Sequence, residues 1–287
     1  MGCYLRPTEL SEALEALAAP GDGALEIIAG GTDFYPARVG RAPDERVLDI
    51  TALAGLRGIR EADDHYLIGA LATWSELMRA ALPPCFDGLK EAAREVGGVQ
   101  IQNAGTICGN ICNASPAADG VPGLLTLEAG VEIASRSGQR TLPLAEFILG
   151  NRRTRLGPGE LVTGLRVPKP APGARSAFLK LGTRAYLVIS IVMVAALVEP
   201  TYDGKVARAR LAVGACSPVA LRLAELEAAL AGRPLDKRLG AVVEARHLAA
   251  LAPIDDIRGA ADYRLDAART LVARALSRLG AELGERA

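Results

Sequence analysis

A proline-rich segment divides the sequence into two parts. The stretch VPKPAPGARSA, residues 167–177, holds three prolines and one glycine in eleven positions. Proline lacks a backbone N–H and its ring fixes φ, so neither a helix nor a central strand tolerates this composition. The chain of 287 residues is half apolar, which is enough for two buried cores. We therefore predict one domain over residues 1–170 and a second over residues 176–287.

The first part alternates between helices and strands. Residues 8–19 place leucines at helical spacing behind Thr8, which is a suitable N-cap. Thr73 is suited in the same way to cap a helix that begins at Trp74. Buried strands are predicted at residues 24–29, 46–49 and 66–72.

The second part predicts a small antiparallel sheet with helices packed on it. Residues 186–198 and 206–215 are strand-like apolar runs, joined through a turn at Asp203 and Gly204. The first run, at about thirteen residues, is shorter than the roughly 20 that a membrane-spanning helix needs, so we interpret it as a core strand. Helical patterns rich in alanine and leucine follow to the end, and the fold class is α+β.

A pair of glycines follows the first predicted strand. In IIAGGTD, residues 27–33, a β-branched strand runs directly into Gly30 and Gly31. Glycine permits positive φ, and successive backbone N–H groups can then point into one concavity that holds a phosphate. Asp33 is placed to cap a short helix over residues 34–39, whose N-terminal dipole attracts the same anion. A tight strand-to-helix turn with no ligand is the alternative.

A second loop concentrates hydrogen-bonding groups. In NAGTICGNICNASPAAD, residues 103–119, small residues, hydroxyls and side-chain amides replace the apolar pattern. The donors are Gly105, Thr106, Gly109 and Asn110, a helix start is expected at Ser115-Pro116, and Asp119 is placed to accept from a ribose. An ordered polar loop without a ligand is the alternative. Neither loop is G-x-G-x-x-G or G-x-x-x-x-G-K-[ST], so a dinucleotide would be held in another way.

Charge and side-chain chemistry disfavour several classes of function. Lysine plus arginine equals aspartate plus glutamate at 33 each, so we expect the chain to bind neither nucleic acid nor an anionic membrane surface. No export signal is seen at the N-terminus, which predicts a cytoplasmic protein.

Five irregularly spaced cysteines favour reduced thiols, and Cys108 and Cys112 are too few for a closed zinc site. His65 and His247 are predicted to be surface or capping residues.

Several motifs together resemble one protein family. The motifs are AGGTD at 29–33, GTICGN at 105–110, NASPAAD at 113–119, GELV at 159–162 and DDIRGAADYR at 255–264. In order and spacing they are similar to the FAD-binding medium subunit of molybdenum hydroxylases. That family includes flavoprotein subunits of carbon monoxide dehydrogenase, nicotinate dehydrogenase and 4-hydroxybenzoyl-CoA reductase, and the FAD domain of xanthine dehydrogenase. The reductase carries a cysteine-rich insertion, and residues 120–149 contain no cysteine, so that subtype is disfavoured.

The resemblance implies a two-subdomain FAD-binding domain of the PCMH type, with subdomains at about 1–55 and 56–170, followed by a C-terminal α+β domain. It implies that both glycine loops clasp the FAD diphosphate, that Asp119 and Lys180 lie near the cofactor, and that Val162 lies near the isoalloxazine. The complete implied set is Ala29, Gly30, Gly31, Thr32, Asp33, Thr106, Gly109, Asn110, Cys112, Ser115, Asp119, Val162 and Lys180.

Two positions leave alternatives open. Cys108 stands where the family usually has the first of two adjacent glycines. If that position needs positive φ, the cysteine costs about 1 kcal/mol in strain. Tyr186 is either a residue that approaches the flavin or an ordinary core aromatic at the head of a strand.

The resemblance also implies a function without catalytic residues or metal ligands on this chain. Substrate would be hydroxylated at a molybdenum cofactor on a large partner subunit. Electrons would pass through two-iron two-sulfur clusters on a small iron–sulfur subunit to the FAD, and then to NAD or another external acceptor. Flavin suits this position because it accepts electrons singly and delivers them in pairs. The alternatives are a self-sufficient flavin oxidase or reductase, and an assembly subunit that has lost its flavin.

Overall fold

The computed structural model describes residues 3–19, 25–40 and 45–285. Its α-helices are α1 (Leu10–Ala18), α2 (Trp74–Arg79), α3 (Asp87–Glu95), α4 (Val99–Ala104), α5 (Ile107–Asn113), α6 (Gly120–Thr126), α7 (Leu144–Phe147), α8 (Ala224–Leu230) and α9 (Ala261–Gly284). Its strands are β1 (Tyr4–Leu5), β2 (Leu25–Ile28), β3 (Arg46–Asp49), β4 (Ile59–Glu61), β5 (His65–Gly69), β6 (Gly130–Ser135), β7 (Gly138–Pro143), β8 (Ile148–Gly150), β9 (Arg153–Thr154), β10 (Leu161–Pro168), β11 (Arg175–Leu181), β12 (Val192–Pro200), β13 (Val206–Gly214) and β14 (Leu221–Arg222).

A three-stranded parallel sheet forms the amino-terminal unit, in the order β1-β3-β2. Leu48 of β3 is buried in the same core as Ala13 and Leu14 of α1, so this apolar face of the helix covers the sheet. The paired glycines come directly after the carboxyl end of β2. Ligands of open parallel sheets bind outside that edge, which places the first loop where a ligand can reach it.

A five-stranded antiparallel sheet forms the middle unit, in the order β4-β5-β10-β6-β7. At its centre, Leu165 of β10 pairs with Ile68 of β5 on one side and Val131 of β6 on the other, and all three side chains are buried. Trp74 at the start of α2 is buried in this core, which also includes Leu48 of the amino-terminal unit. The two units therefore share one continuous core.

A four-stranded antiparallel sheet, β11-β12-β13-β14, forms the carboxyl-terminal unit. Alternate residues of β12 face opposite sides, as a strand requires. Val194 packs in the core under α9, whereas Met193 and Ala195 pack against Ala92 of α3. Because β12 is covered on both faces, its sequence is continuously apolar. The predicted α+β class, with a small antiparallel sheet and helices packed on it, is confirmed.

Several predicted elements are found where the sequence placed them. Thr73 is the N-cap of α2, and its Oγ1 accepts a hydrogen bond from the backbone N–H of Glu76 at 3.2 Å. The strand predicted at 46–49 is β3, and the strands predicted at 66–72 and 206–215 are found within one to three residues as β5 and β13. Ala24, the first residue of the remaining predicted strand, lies outside the described residues, and β2 begins at Leu25.

The prediction of one strand over residues 186–198 was wrong in its first half. Residues 182–191 form a loop, and β12 begins only at Val192. The Arg184 guanidinium binds the backbone carbonyls of Tyr186 and Leu187, so these groups pair with a side chain and not with a neighbouring strand. Leu187 has φ +53°, which is incompatible with a strand. Tyr186 is exposed and is not a core aromatic.

Three helix starts also differ from prediction. Helix α1 is capped at Glu9 and not at Thr8. The Glu12 carboxylate accepts hydrogen bonds from the backbone N–H groups of Thr8 and Glu9. Asp33 caps no helix, since only a 3-10 turn forms at Pro36–Arg38, with Tyr35 at its N-cap position. Ser115 Oγ accepts from the backbone N–H of Ala117 in a turn, and the next helix, α6, starts later.

The proline-rich segment lies between two sheets. Strand β10 ends at Pro168 in the middle sheet, and β11 begins at Arg175 in the carboxyl-terminal sheet. A turn closes within the segment, where the backbone N–H of Ala174 donates to the carbonyl of Ala171 at 3.1 Å. Within the described ranges, no helix has both the length and the apolarity needed to cross a membrane.

Replacing Thr73 with alanine removes the hydroxyl that caps α2, the helix whose first residue is buried beside the second glycine loop. We expect Thr73→Ala to lower the free energy of unfolding by about 1 kcal/mol, the usual effect of losing an N-cap. Urea unfolding followed by circular dichroism measures it. Thr73→Ser keeps the hydroxyl, so an equal loss in both variants would contradict the capping role.

Candidate functional site

A cavity of about 450 Å³ opens between the amino-terminal and middle units. Cavities that bind small molecules fall in the range of roughly 300–1,000 Å³. Ten of the sequence-predicted residues line it: Ala29, Gly30, Gly31, Thr32, Asp33, Thr106, Gly109, Asn110, Cys112 and Val162. The structure therefore brings both glycine loops and the GELV segment to one place. The other three predicted residues, Ser115, Asp119 and Lys180, do not line this cavity.

The two glycine loops touch through their backbones. A Cβ atom on Gly30 would lie 2.0 Å from the carbonyl oxygen of Ala104 and 2.9 Å from the Cα of Gly105. No side chain fits at that distance, so the absence of a Cβ is what lets the loops meet. The contact closes one end of the cavity with main-chain atoms.

The first loop presents free backbone donors. Gly31 has φ +68°, in the left-handed region, and its Cβ would lie 2.6 Å from Cε2 of Tyr35. In the part of the chain that the structure describes, the backbone N–H groups from Gly30 to Asp33 donate no hydrogen bond to another protein atom. A run of unpaired N–H groups around a left-handed residue is the concavity that binds anions in many proteins. Gly31 therefore has the positive φ that the sequence predicts, and the binding of a phosphate by this loop stays a prediction.

The second loop differs, because its backbone donors are largely used within the chain. Thr106 caps α5, and its Oγ1 accepts from the backbone N–H of Gly109 at 3.0 Å. The N–H of Ile107 donates to the carbonyl of Ala72, and that of Asn110 donates to the carbonyl of Thr106. By contrast, the buried Oδ1 of Asn110 finds no hydrogen-bond partner among the residues that the structure describes. This loop therefore offers a side-chain amide to a ligand in addition to any free backbone groups.

Buried polar atoms without partners are rare and costly, so Asn110 is evidence that the cavity holds a polar ligand. The lining also suits a dinucleotide. It includes the backbone of residues 30–33, whose N–H groups have no partner among the described residues, the amide of Asn110, and the apolar side chains of Ile101 and Val162. Aromatic ring systems need such apolar walls, whereas a diphosphate needs the N–H groups. The residues present fit FAD.

Cys108 does not carry the strain that a positive φ would impose. It lies inside helix α5 with helical backbone geometry, and positive φ is found at other non-glycine residues such as Ala114 and Arg152. Its Sγ lies 4.0 Å from the carbonyl oxygen of Gly69 in the core. Burial raises the pKa of the Cys108 thiol, and it raises the pKa of Cys112 to about 12. Both are neutral thiols at physiological pH, which is a poor state for nucleophilic or metal chemistry.

Asp119 and Lys180 form a buried ion pair, with 2.8 Å between Oδ2 and Nζ. The other carboxylate oxygen of Asp119 accepts from the hydroxyl of Ser190 at 2.6 Å. Burial raises the pKa of Asp119, while the Lys180 ammonium opposes that shift. The cluster joins the start of α6 to β11 and to the end of the 182–191 loop. The contacts of Asp119 and Lys180 with a cofactor stay predictions.

Sequence reasoning missed a cationic residue in the cavity lining, Arg152. Its Nη1 donates to Oδ1 of Asn113 at 2.8 Å, and its backbone has φ +53°. The other arginine in the lining, Arg38, is paired with Glu45 at 3.1 Å and lies over the Phe34 ring. Among the described residues, the side chain of Arg152 is thus bound to a neutral amide and forms no ion pair. Three arginines stand close together in NRRTRL, and no sequence signal distinguishes this one.

The two histidines lie away from the cavity lining. His65 Nδ1 is 2.6 Å from Oδ1 of Asp64 on an exposed strand end. His247 Nδ1 accepts from the backbone N–H of Glu244 at 3.0 Å, which confirms a capping role, although the side chain is buried. Among the described residues, no group of three or more histidine, cysteine or carboxylate side chains is arranged to hold a metal ion.

Comparison with known proteins gives matches along nearly the whole chain. The family model described as "FAD binding domain in molybdopterin dehydrogenase" matches residues 1–170, and "CO dehydrogenase flavoprotein C-terminal domain" matches residues 177–279. The 6-hydroxypseudooxynicotine dehydrogenase complex subunit alpha of Paenarthrobacter nicotinovorans is 32% identical, over 96% of this chain and 93% of that protein. The carbon monoxide dehydrogenase medium chain of Hydrogenophaga pseudoflava is 31% identical, over 96% and 95%.

Solved structures also match this chain over nearly its whole length. A chain of Hydrogenophaga pseudoflava carbon monoxide dehydrogenase that lacks the Mo-pyranopterin moiety superposes with a TM-score of 0.87 at 31% identity, covering 96% of both chains. A chain of quinoline 2-oxidoreductase from Pseudomonas putida 86 superposes with a TM-score of 0.89 at 25% identity, covering 99% of this chain and 98% of that one. The likeness extends over both the cavity-forming units and the carboxyl-terminal sheet.

The loop contact predicts a large effect of one methyl group. Gly30→Ala places a Cβ against the Ala104 carbonyl, so we expect the free energy of unfolding to fall by roughly 1–3 kcal/mol through overpacking. Chemical unfolding of the cofactor-free chain measures it. Gly55→Ala is the matched control, since its Cβ would meet nothing within 4 Å. If Gly30→Ala is as stable as Gly55→Ala, the loops do not meet as described.

Proposed function

Because the chain belongs to the family of FAD-binding domains in molybdopterin dehydrogenases, we propose that it is the flavoprotein subunit that passes electrons from iron–sulfur clusters of a partner to an external acceptor. The family membership makes the chain an FAD-binding oxidoreductase subunit. The route of the electrons is the proposed step. The observation that supports it is the cavity. Its described lining includes backbone N–H groups without a protein acceptor and the amide of Asn110, and neither histidine is part of it.

The chain's own residues would hold the cofactor at two ends. We assign the N–H groups from Gly30 to Asp33 to the FAD diphosphate, because they have no partner among the described residues and flank a left-handed glycine. Asn110 supplies a buried amide, and Val162 supplies an apolar wall that excludes water. When bound, FAD takes electrons one at a time and releases them in pairs. The protein's part is to bind and orient it.

The partner assignment follows from what the relatives are. Their names describe a subunit of a dehydrogenase complex and a medium chain, so these relatives are parts of larger assemblies. We propose that this chain likewise assembles with a large molybdenum-cofactor subunit and a small iron–sulfur subunit. The cytoplasm stays the predicted compartment.

A self-sufficient flavin oxidase or reductase is the alternative enzyme, but neither histidine reaches the cavity lining to serve as a base. A flavin-free assembly subunit is the alternative that is not an enzyme. The backbone N–H groups of residues 30–33 and the Oδ1 acceptor of Asn110, which have no partner among the described residues, argue against it. The visible absorbance spectrum of the purified chain, with mass spectrometry of the released cofactor, separates these cases. A yellow protein that needs its partners for substrate turnover supports the proposal, whereas turnover by the chain alone would contradict it.

Gly31→Val tests the first loop. The left-handed backbone at this position disfavours a β-branched residue, and the space beside the glycine is taken by Tyr35. We expect the variant to lose FAD, measured as the ratio of flavin to protein absorbance. Gly40→Val, a second glycine with positive φ but with open space around it, controls for strain alone. Full flavin content in Gly31→Val would contradict the loop assignment.

Arg152→Met tests whether the guanidinium of Arg152 in the cavity lining contributes to FAD binding. A hydrogen bond from a charged group contributes about 1.5–3 kcal/mol, so we expect FAD to bind roughly 10- to 100-fold more weakly. Titration of the cofactor-free chain with FAD, followed by flavin fluorescence, measures the change. Arg153→Met removes the neighbouring arginine, which does not line the cavity, and should leave the affinity unchanged. Equal affinities in the two variants would exclude Arg152 from binding.

A further inference from the structure

A second cavity, of about 470 Å³, lies between the middle unit and the carboxyl-terminal unit. We call it the junction pocket. Residues from both units line it, namely Tyr66 of β5 and residues 83–85 on one side, and Pro200 of β12 and Leu283 of α9 on the other. The proline-rich segment supplies a further wall. Its volume is in the range of small-molecule sites, and no described residue lines both this pocket and the cofactor cavity.

The walls of the junction pocket are stiff. Five lining residues are prolines, whose rings fix φ: Pro83, Pro84, Pro170, Pro172 and Pro200. The hydrogen bond between Ala174 and Ala171 closes the turn in the proline-rich wall. A Cβ on Gly173 would lie 3.2 Å from Cγ of Pro200, so this turn packs against the end of β12. Walls that are ordered in advance lower the entropic cost of binding a ligand.

Tyrosine side chains add aromatic surface to the pocket. The buried ring of Tyr66 packs edge-on against the ring of Phe86, with 5.1 Å between the centroids, so its position is fixed. Tyr202 also lines the pocket and is fully exposed. Together with the proline rings, these side chains present flat apolar faces. Such faces favour a planar aromatic ring.

The charged side chains of the lining are both cations. Lys169 and Arg175 line the pocket, whereas none of its described lining residues is aspartate or glutamate. Lys169 Nζ binds Glu61 at 2.7 Å, so that charge is already balanced. The Arg175 side chain forms no hydrogen bond or ion pair with another described residue. Burial raises the pKa of the Cys85 thiol to about 11, so this thiol adds no negative charge at physiological pH.

The carboxylates behind the walls do not use the Arg175 guanidinium. The Glu199 carboxylate binds Arg210, and it accepts from the backbone N–H of Ala171 at 3.4 Å. Burial raises the pKa of Asp87, and Arg175 is among the cations that oppose this shift through space. Arg175 is therefore available to an anion that enters the pocket.

We propose that the junction pocket binds a small aromatic carboxylate, with its ring against the proline and tyrosine faces and its carboxylate on Arg175. The planar guanidinium suits this anion because it donates two parallel hydrogen bonds to a carboxylate. A ligand here contacts both units, so its binding stabilises their arrangement. The inference goes beyond the proposed function and does not depend on FAD binding, since the two cavities share no described lining residue.

The test titrates the full chain, loaded with FAD, with 2-naphthoate in a calorimeter. The fused rings suit a cavity of this size, and we expect a dissociation constant of about 1 mM or lower, as modest ligand efficiency gives. 2-Naphthamide keeps the rings and loses the charge, whereas acetate keeps the charge and loses the rings. We expect each to bind at least about 10-fold more weakly, because each lacks one of the two recognised groups.

Arg175→Met removes the guanidinium, and we expect 2-naphthoate to bind roughly 10- to 100-fold more weakly. Arg136→Met is the matched control, because Arg136 is exposed in the turn between β6 and β7 and does not line the pocket. Ala171→Trp fills the pocket from an exposed position of the proline-rich wall, and we expect it to abolish binding.

Thermal melting reports folding of each variant, and visible absorbance reports its flavin content. The proposal is supported when 2-naphthoate binds without releasing flavin, Arg136→Met matches the unchanged chain, and Arg175→Met and Ala171→Trp lose affinity. It is overturned if the unchanged chain gives no heat of binding, if 2-naphthamide binds as tightly, or if both arginine variants bind equally. Release of flavin by 2-naphthoate also overturns it, since the probe then occupies the cofactor cavity. If Arg175→Met does not fold, undiminished binding to Ala171→Trp overturns the proposal.

Discussion

The backbone of Gly30 lies against the carbonyl of Ala104, and the cavity exists because these two chain segments touch there. The contact joins the end of the parallel sheet to the helices of the middle unit. The N–H groups after Gly30 have no acceptor in the described part of the chain, while the turn beyond Ala104 is fixed by Thr106 and Ala72. The first glycine loop therefore keeps backbone donors for a ligand, whereas the second uses most of its donors within the chain. Both loops are rich in small residues, so this difference comes from how they pack and not from their composition.

Buried polar links hold the carboxyl-terminal sheet on this arrangement. The hydroxyl of Ser176 in β11 accepts from the backbone N–H of Gly88 at 2.8 Å and donates to the carbonyl of Cys85 at 2.7 Å. The Asp119–Lys180 pair makes a second link between the same units. A buried ion pair contributes little net stability, because desolvation offsets the attraction. Its effect here is geometric. Each buried charge requires the other as its partner, and the pair therefore fixes the position of β11 and the following loop relative to α6.

The Asp119–Lys180 pair also helps to fix the loop over residues 182–191. Asp119 binds Ser190 at the end of the 182–191 loop, and Ile191 is bound in turn by Arg264. The loop that sequence analysis interpreted as the start of a strand is thus fixed at its carboxyl end by side chains from other elements. Its apolar residues are held on the surface and not folded into the core.

The sequence by itself determined the α+β class, the antiparallel carboxyl-terminal sheet, the cap at Thr73 and the importance of both glycine loops. These depend on local properties, namely side-chain periodicity, hydrogen bonding within one turn and the missing Cβ of glycine. Only the tertiary structure decided which donors stay free. Among the described residues, it shows the Oδ1 acceptor of Asn110 without a partner, Arg152 bound to Asn113 from 39 residues away, and the 182–191 loop bound by side chains instead of strand neighbours. Whether a polar group is satisfied or an apolar one covered depends on what packs against it, and distant segments supply those neighbours.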